Sequence, residues 1–265
     1  SLTLTERLII LAIFGFLLGM LIYLLDFYIY QFLEGIRFWY QPIWVSVRER
    51  ALNSYNDLIK DIDKKKSLKI TTEDRKSKLV LENQIRNLSG KIRAFPVNKS
   101  DIEATNLGNI LKEYETYPEE QYGMKLNIFW SRLLLILPEE TKKELDLRGA
   151  EADLTVYLTF IFLIFSPIAG IRSFQLWGII PALFVFFILL AITKIIFYEL
   201  SLRSHLSYGK YVKAVFDIYR IDLSNKLNLP IHLCPDKQER AIWKEYGQFL
   251  DEYVMPENVL KKKIK

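Results

Sequence analysis

The sequence predicts an all-α integral membrane protein with three transmembrane helices and a helical cytoplasmic domain. Two apolar runs within residues 154–200 and a third within residues 8–33 each approach or exceed the roughly 20 residues that a helix needs to cross a bilayer. Backbone groups inside lipid must find their hydrogen-bond partners within their own segment, so these runs are expected to be helices. Charged residues still make up 25% of the chain and lie almost entirely outside the runs, which predicts a separate polar domain.

Residues 1–34 form the first predicted transmembrane helix. The apolar run is long for a signal-peptide core and no small-x-small cleavage site follows it, so we expect it to be retained. Gly15 and Gly19 stand four residues apart, a spacing that lets a second helix approach closely. Glycines at this spacing also occur in apolar helices that have no such contact.

The distribution of basic residues predicts the orientation. The chain has 36 Lys and Arg residues, and only Arg7, Arg172 and Lys194 lie outside residues 35–153 and 201–265. Lys and Arg concentrate in the cytoplasmic parts of membrane proteins, so both polar regions are predicted to be cytoplasmic and the N-terminus to be outside. Trp39, Tyr40, Trp44 and Trp177 are expected to be interfacial anchors.

The region 35–153 is predicted to be cytoplasmic and helical, with a helical hairpin at about residues 44–93. Apolar residues recur there at helical spacing in two segments. The polar run 63–67 is expected to form the turn, and the run 71–74 offers capping oxygens to the second helix. The hairpin is either a solvated structural arm or a surface that binds a protein partner.

Several shorter elements follow. Thr105 is expected to cap a helix that extends to Tyr117, Pro118 to begin another turn, and Gly123 to end it. Residues 126–137 are an apolar helix too short to cross a bilayer. A helix that begins at Pro138 is predicted to run into the second span, with residues 172–175 as the break before the third. Residues 201–265 are predicted to be cytoplasmic helices, the first continuous with the third span.

Composition argues against several kinds of site. A single cysteine, Cys234, cannot form an intrachain disulfide, and the two histidines, His205 and His232, lack metal-ligand spacing. The net charge is only +5, and the basic residues are interleaved with acidic ones, which argues against nucleic-acid binding. We therefore expect no metal, cofactor or nucleic acid, and membrane lipids and proteins as partners.

Two sequence segments carry a resemblance. LGNILKEYETYPEEQYG is followed by FWSRLLLILPEE before the membrane hairpin, and YGKYVKAVFDIYR and ERAIWKEYGQFL come after it. This order resembles a family of bacterial multi-span membrane proteins to which no activity is assigned, over roughly residues 106–249. Ser131 departs from the proline expected there. The resemblance implies the architecture and a bacterial inner (cytoplasmic) membrane.

Five charged residues lie at positions that match the family pattern: Glu113, Arg132, Asp217, Arg220 and Glu239. A charge in an apolar setting must be paired, so these residues are interpreted as structural ion pairs between cytoplasmic helices. A catalytic role is disfavoured because no activated nucleophile, histidine base or phosphate-binding glycine loop accompanies them.

Asp26 and Lys194 are the ionisable residues at membrane level. Both are expected near the cytoplasmic side of the bilayer, where they could meet. An ion or proton path is one interpretation of such residues. Snorkelling of the side chains to the interface, or structural pairing, is the alternative.

Three functions remain open. The first is a non-enzymatic interaction or scaffold protein that self-associates and binds a protein partner through its cytoplasmic helices. The second is an oligomeric channel or membrane-permeabilising effector, which would need several protomers because no span has a polar stripe. The third is an enzyme at the inner leaflet.

Overall fold

The computed structural model describes residues 3–35, 42–231 and 237–254, and all its regular elements there are helical. The predicted anchors Trp39, Tyr40 and Trp44, together with His232, Cys234 and the basic C-terminal end, lie outside the described residues or side chains. The α-helices are α1 Leu4–Leu24, α2 Asp26–Glu34, α3 Pro42–Thr71, α4 Arg75–Ile92, α5 Asn106–Tyr122, α6 Leu126–Ile136, α7 Glu139–Trp177, α8 Ile179–Ile192, α9 Glu199–Lys226 and α10 Lys237–Val254.

Three helical segments are long and apolar enough to cross a membrane, which confirms the predicted fold class. They are Leu4–Leu24, Glu139–Trp177 and Ile179–Lys226, the last being α8 and α9 joined by a π-helical segment, Thr193–Tyr198. The second and third segments extend far beyond the bilayer, and their polar ends belong to the helical domain.

The first span is shorter than predicted. The prediction of one helix over residues 8–33 is wrong, because α1 ends at Leu24 and α2 begins at Asp26. Leu25, with a φ of −95° and a ψ of 2°, separates the two helices, and α2 packs on the helical domain, where Ile29 and Leu33 are buried. The roughly 31 Å length of α1, at about 1.5 Å per residue, still matches the hydrocarbon core.

The second and third spans form a hairpin whose turn is at Gly178. The predicted break at residues 172–175 is wrong: α7 continues to Trp177, because that segment contains no proline or glycine to end it. Gly178 has a φ of 89°, which favours glycine, and the chain reverses there. Along the hairpin, the rings of Phe162 and Phe197 stack with centroids 4.3 Å apart.

The predicted hairpin of residues 44–93 is present as α3 and α4. Its turn lies at residues 72–74, and the predicted turn at 63–67 is wrong because lysines favour helix and no breaker interrupts α3. Asp74 caps α4 by accepting hydrogen bonds from the Lys76 and Ser77 amides. We call α3 and α4 together the arm.

The helical domain is built from α2, α5, α6, α10 and the polar ends of α7 and α9. Thr105 caps α5 and Gly123 ends it, as predicted, but Pro118 does not start a new turn. Pro118 is buried inside α5, where core packing on both sides of it compensates for the lost hydrogen bond. The short helix α6 fills the core, with Phe129 and Leu133 fully buried, and Trp243 of α10 packs edge-on against Phe129.

Candidate functional site

Among the described helices, the two helices of the arm pack chiefly against each other and leave most of their outer surface uncovered. The root of the arm is fixed: the Arg48 Nε donates to the Ile102 carbonyl oxygen at 2.6 Å, and the rings of Tyr55 and Phe95 lie 5.5 Å apart. Ile62 is the last buried residue of α3. About ten residues of α3 follow Ile62 and extend away from the helical domain together with α4, over about 14 Å at about 1.5 Å per residue.

Polar contacts hold the two helices together in the outer half of the arm. The Lys65 Nζ donates to Gln84 Oε1 at 2.7 Å, and Lys69 pairs with Glu82 at 2.7 Å. The Lys69–Glu82 interaction lowers the pKa of the Glu82 carboxyl. Because these pairs are solvent-exposed, water and salt screen them and they contribute little to stability.

The far end of the arm combines apolar side chains with positive charge. Four apolar side chains there are exposed by between 46% and 83%: Leu68, Ile70, Leu79 and Val80. Residues 64–80 contain seven Lys and Arg residues and two acidic residues. We call this segment the arm tip; its exposed apolar side chains lie among basic residues on two helices.

The five charged residues that match the family pattern occupy three different settings. Arg220 and Glu239 form an ion pair, Nε to Oε1 at 3.0 Å, with side chains only 9% and 1% exposed. Glu113 is paired with Lys213 across α5 and α9. Arg132 makes no ion pair in the described structure and donates to the Ile128 carbonyl oxygen within its own helix.

Asp217 accepts hydrogen bonds from two tyrosine hydroxyls. Tyr117 donates to its Oδ1 at 2.8 Å and Tyr122 at 2.6 Å. Burial, followed by these bonds to the carboxylate, raises the pKa of Tyr117 to about 12. Asp217 and Arg220 share a helix face, but Arg220 donates to the Asp217 backbone oxygen and not to the carboxylate. The arrangement joins α5 to α9.

A buried polar cluster that the sequence did not indicate joins α2, α7 and α9. The Tyr30 hydroxyl donates to Asp153 Oδ1 at 2.5 Å and lies 3.1 Å from His205 Nε2. His205 Nδ1 lies 2.9 Å from the Ser201 carbonyl oxygen. Burial lowers the pKa of His205, which favours the neutral ring, so one tyrosine proton faces two acceptors.

The long sequence separations explain why this cluster was missed. Tyr30 lies 123 residues from Asp153 and 175 from His205. The one local signal is the spacing of four residues between Ser201 and His205. The cluster holds α2 against α7 and α9 where these helices leave the membrane.

Asp26 and Lys194 do not meet. Asp26 accepts a hydrogen bond from the Tyr157 hydroxyl at 2.8 Å. Lys194 lies 3.8 Å from a Glu199 carboxylate oxygen and 4.0 Å from the centre of the Tyr198 ring. Each residue is thus engaged in a separate contact in the described structure.

Gly15 and Gly19 lie on the part of α1 that the rest of the described chain leaves uncovered, whereas Ile22 near its end packs against the core. No residue of α1 is buried, and a Cβ built on either glycine would meet no atom within 4 Å. The close contact that their spacing predicts is therefore not made inside one protomer.

No family model, curated protein or solved structure matched the chain in the comparisons made. The family resemblance therefore stays a prediction. Within the described residues, no group of three or more His, Cys, Asp and Glu side chains could hold a metal ion.

Proposed function

We propose that the chain is a non-enzymatic interaction protein of a bacterial cytoplasmic membrane, which binds a protein partner through the arm tip. The observation that carries the proposal is the exposure of four apolar side chains among basic residues at the end of a projecting hairpin: Leu68, Ile70, Leu79 and Val80. Exposed apolar groups on a soluble surface commonly mark a binding site. The domain faces the cytoplasm in this proposal, as the basic residues predict.

The partner surface is expected to be acidic and to offer apolar side chains. Seven basic residues against two acidic ones would attract such a surface and speed its association. The rigid root of the arm, fixed by Arg48 and Tyr55, favours a tip that is presented at a set distance from the domain.

Site-specific photocrosslinking in native membranes tests this proposal. A photoreactive residue at Ile70, 83% exposed at the tip, is compared with one at Ser54, exposed near the root of the same helix. We expect a protein adduct from Ile70 that disappears when Lys76 and Lys78 are both changed to Glu. Equal adducts from both positions, or adducts with lipid only, would contradict the proposal.

Self-association through α1 is the second part of the proposal. The uncovered Gly15 and Gly19 would let two copies of α1 pack closely in lipid, where dispersion contacts and weak hydrogen bonds drive association. Chemical crosslinking in membranes should give an oligomer that Gly19→Leu abolishes. Leu17→Phe, on the opposite face of α1, should leave it intact; an oligomer that survives Gly19→Leu would refute this part.

A further inference from the structure

The outward side of α7 in the helical domain carries acidic residues and an exposed leucine. Between residues 139 and 151, the exposed positions of this helix recur at intervals of three and four residues and therefore lie on one side of it. Four of the side chains there are acidic and one is basic, and Leu147 among them is 65% exposed. Leu135, just before α7, is 81% exposed. We call this side of the helix the α7 face; its charged and large apolar residues are Glu139, Glu140, Lys143, Asp146, Leu147 and Glu151.

The arm tip of the same chain does not cover the α7 face. Leu147 on that face and Ile70 at the arm tip are both largely exposed. The two helices of the arm pack chiefly against each other, and α7 packs chiefly against α8 and α9. A contact between the arm tip and the α7 face therefore needs two copies of the chain.

The arm tip and the α7 face carry opposite charge. The arm tip has seven basic residues and two acidic ones, whereas the α7 face has four acidic residues and one basic one. Each surface also exposes apolar side chains, Ile70 on the first and Leu147 on the second. Opposite charges steer two proteins together and fix their register, and burial of apolar side chains adds affinity. This complementarity favours a second copy as the partner.

Two copies in one membrane can make this contact only if both surfaces lie at a similar distance from the bilayer. Gly149 of α7 lies beside α9, because a Cβ built on this glycine would be 3.5 Å from Tyr208 Cε2. The next residue of α9, Gly209, lines a cavity together with Gly90 of α4. These residues define a common level of the three helices. From this level, α7 extends about 15 Å further from the membrane to reach Glu139, at about 1.5 Å per residue.

The arm extends from this level in the same direction. Arg48 donates to the Ile102 carbonyl oxygen just before α5, and the first residues of α5 interact with Tyr198, where the third span ends. Further along α3, Ile62 lines a groove together with Arg93, which lies at the common level. The rest of α3 reaches about 14 Å beyond that level, or about 7 Å if the arm tilts by about 60°. Along α7 these distances correspond to about residues 140–144, which lie within the α7 face.

We propose that the arm tip of one copy docks on the α7 face of a neighbouring copy in the same membrane. This inference rests on the proposed function, because it names the partner of the arm tip. The contact joins two different surfaces, so each copy offers one arm tip and one α7 face. Such head-to-tail contacts generate closed rings or open chains of copies.

Photocrosslinking between two differently tagged full-length copies in native membranes tests the proposal. A photoreactive residue at Ile70 of one copy should give an adduct with the other copy, and the crosslinked peptide should lie within residues 135–151. Changing Lys76 and Lys78 of the first copy to Glu should lower the yield at least about tenfold, because like charges then face each other. Adding Glu140→Lys and Asp146→Lys to the second copy should restore most of the yield.

The matched control places the same charge reversal elsewhere on the domain. Glu119→Lys and Asp222→Lys in the second copy, both at exposed acidic residues, should restore nothing. Equal restoration by this control, or an own-chain adduct outside residues 135–151, would refute the proposal. An Ile70 adduct with a different protein alone would also refute it, while the proposed function would stand. The absence of any protein adduct would overturn both. Melting temperatures of all variants show that each is folded.

Discussion

Replacing Arg220 with methionine should release α10 from the helical domain. Its guanidinium Nε lies 3.0 Å from Glu239 Oε1, and its charge lies 4.4 Å from the centre of the Tyr122 ring. Glu239 Oε1 also accepts a hydrogen bond from the Trp243 indole at 3.3 Å. The side chains of Arg220 and Glu239 are only 9% and 1% exposed, so water cannot replace the guanidinium beside the Glu239 carboxylate.

The expected loss is about 3–5 kcal/mol in the free energy of unfolding, because the variant keeps a buried carboxylate and removes its guanidinium. Adding Glu239→Gln should recover most of that loss, since the amide oxygen still accepts from Trp243 and no buried charge remains. The control is Arg240→Met: its Nε donates to the exposed Gln121 carbonyl oxygen at 2.8 Å, so the loss should stay below about 1 kcal/mol.

Denaturant unfolding in detergent micelles, together with amide hydrogen exchange of α10, measures these losses. A loss of 3–5 kcal/mol corresponds to opening of α10 that is about 150- to 5,000-fold more frequent. The reasoning fails if Arg220→Met costs less than about 1 kcal/mol, or if the double variant loses the sum of the two single losses.

Three further predictions concern packing, pH and orientation. Gly209→Ala should destabilise the domain by about 1–3 kcal/mol in thermal unfolding, because the new Cβ would lie 2.5 Å from Tyr114 Cδ1. The control is Gly90→Ala, which has open space around it and should be neutral or stabilise α4 by up to about 1 kcal/mol. Burial raises the pKa of the Glu34 carboxyl from 4.5 to about 7, so ionisation of this carboxyl opposes folding. The free energy of unfolding should therefore fall by about 1–3 kcal/mol as the pH rises from 4.5 to 7. Denaturant unfolding at several pH values should show a weaker pH dependence for Glu34→Gln. A cysteine at Ser67, in an otherwise cysteine-free chain, should react with a membrane-impermeant thiol reagent in inverted membrane vesicles and not in intact cells; labelling of intact cells would reverse the predicted orientation.

The helices were predictable because their signals are local. Apolar length identified the spans, Thr105 was predicted as a cap and Gly123 as an end. The run 71–74 was predicted to supply the cap of α4, and Asp74 within it does so. A turn predicted from polar residues alone was wrong, because the lysines at 64–66 continue α3 instead of ending it. A charged side chain leaves a helix intact, whereas a glycine with positive φ, as at Gly178, ends it.

The family pattern pointed to five charged residues, but it did not indicate which residues they contact. Glu113 is joined to Lys213, a residue 100 positions away, and Arg132 donates only within its own helix. Asp217 contacts tyrosines on α5 rather than the nearby Arg220 side chain. Such partners depend on which helix faces pack, and a single sequence carries no record of those faces.

The sequence by itself determined the class of this protein: an all-α chain with three helices that cross a membrane and a separate charged domain. It could do so because hydrophobic length and segregation of charge are properties of contiguous residues. Only the tertiary structure decided that Gly15 and Gly19 of α1 meet no other described residue, and that Tyr30, Asp153 and His205 form one cluster. These arrangements arise from contacts between residues far apart in the chain, whose relative positions are set by packing of whole helices.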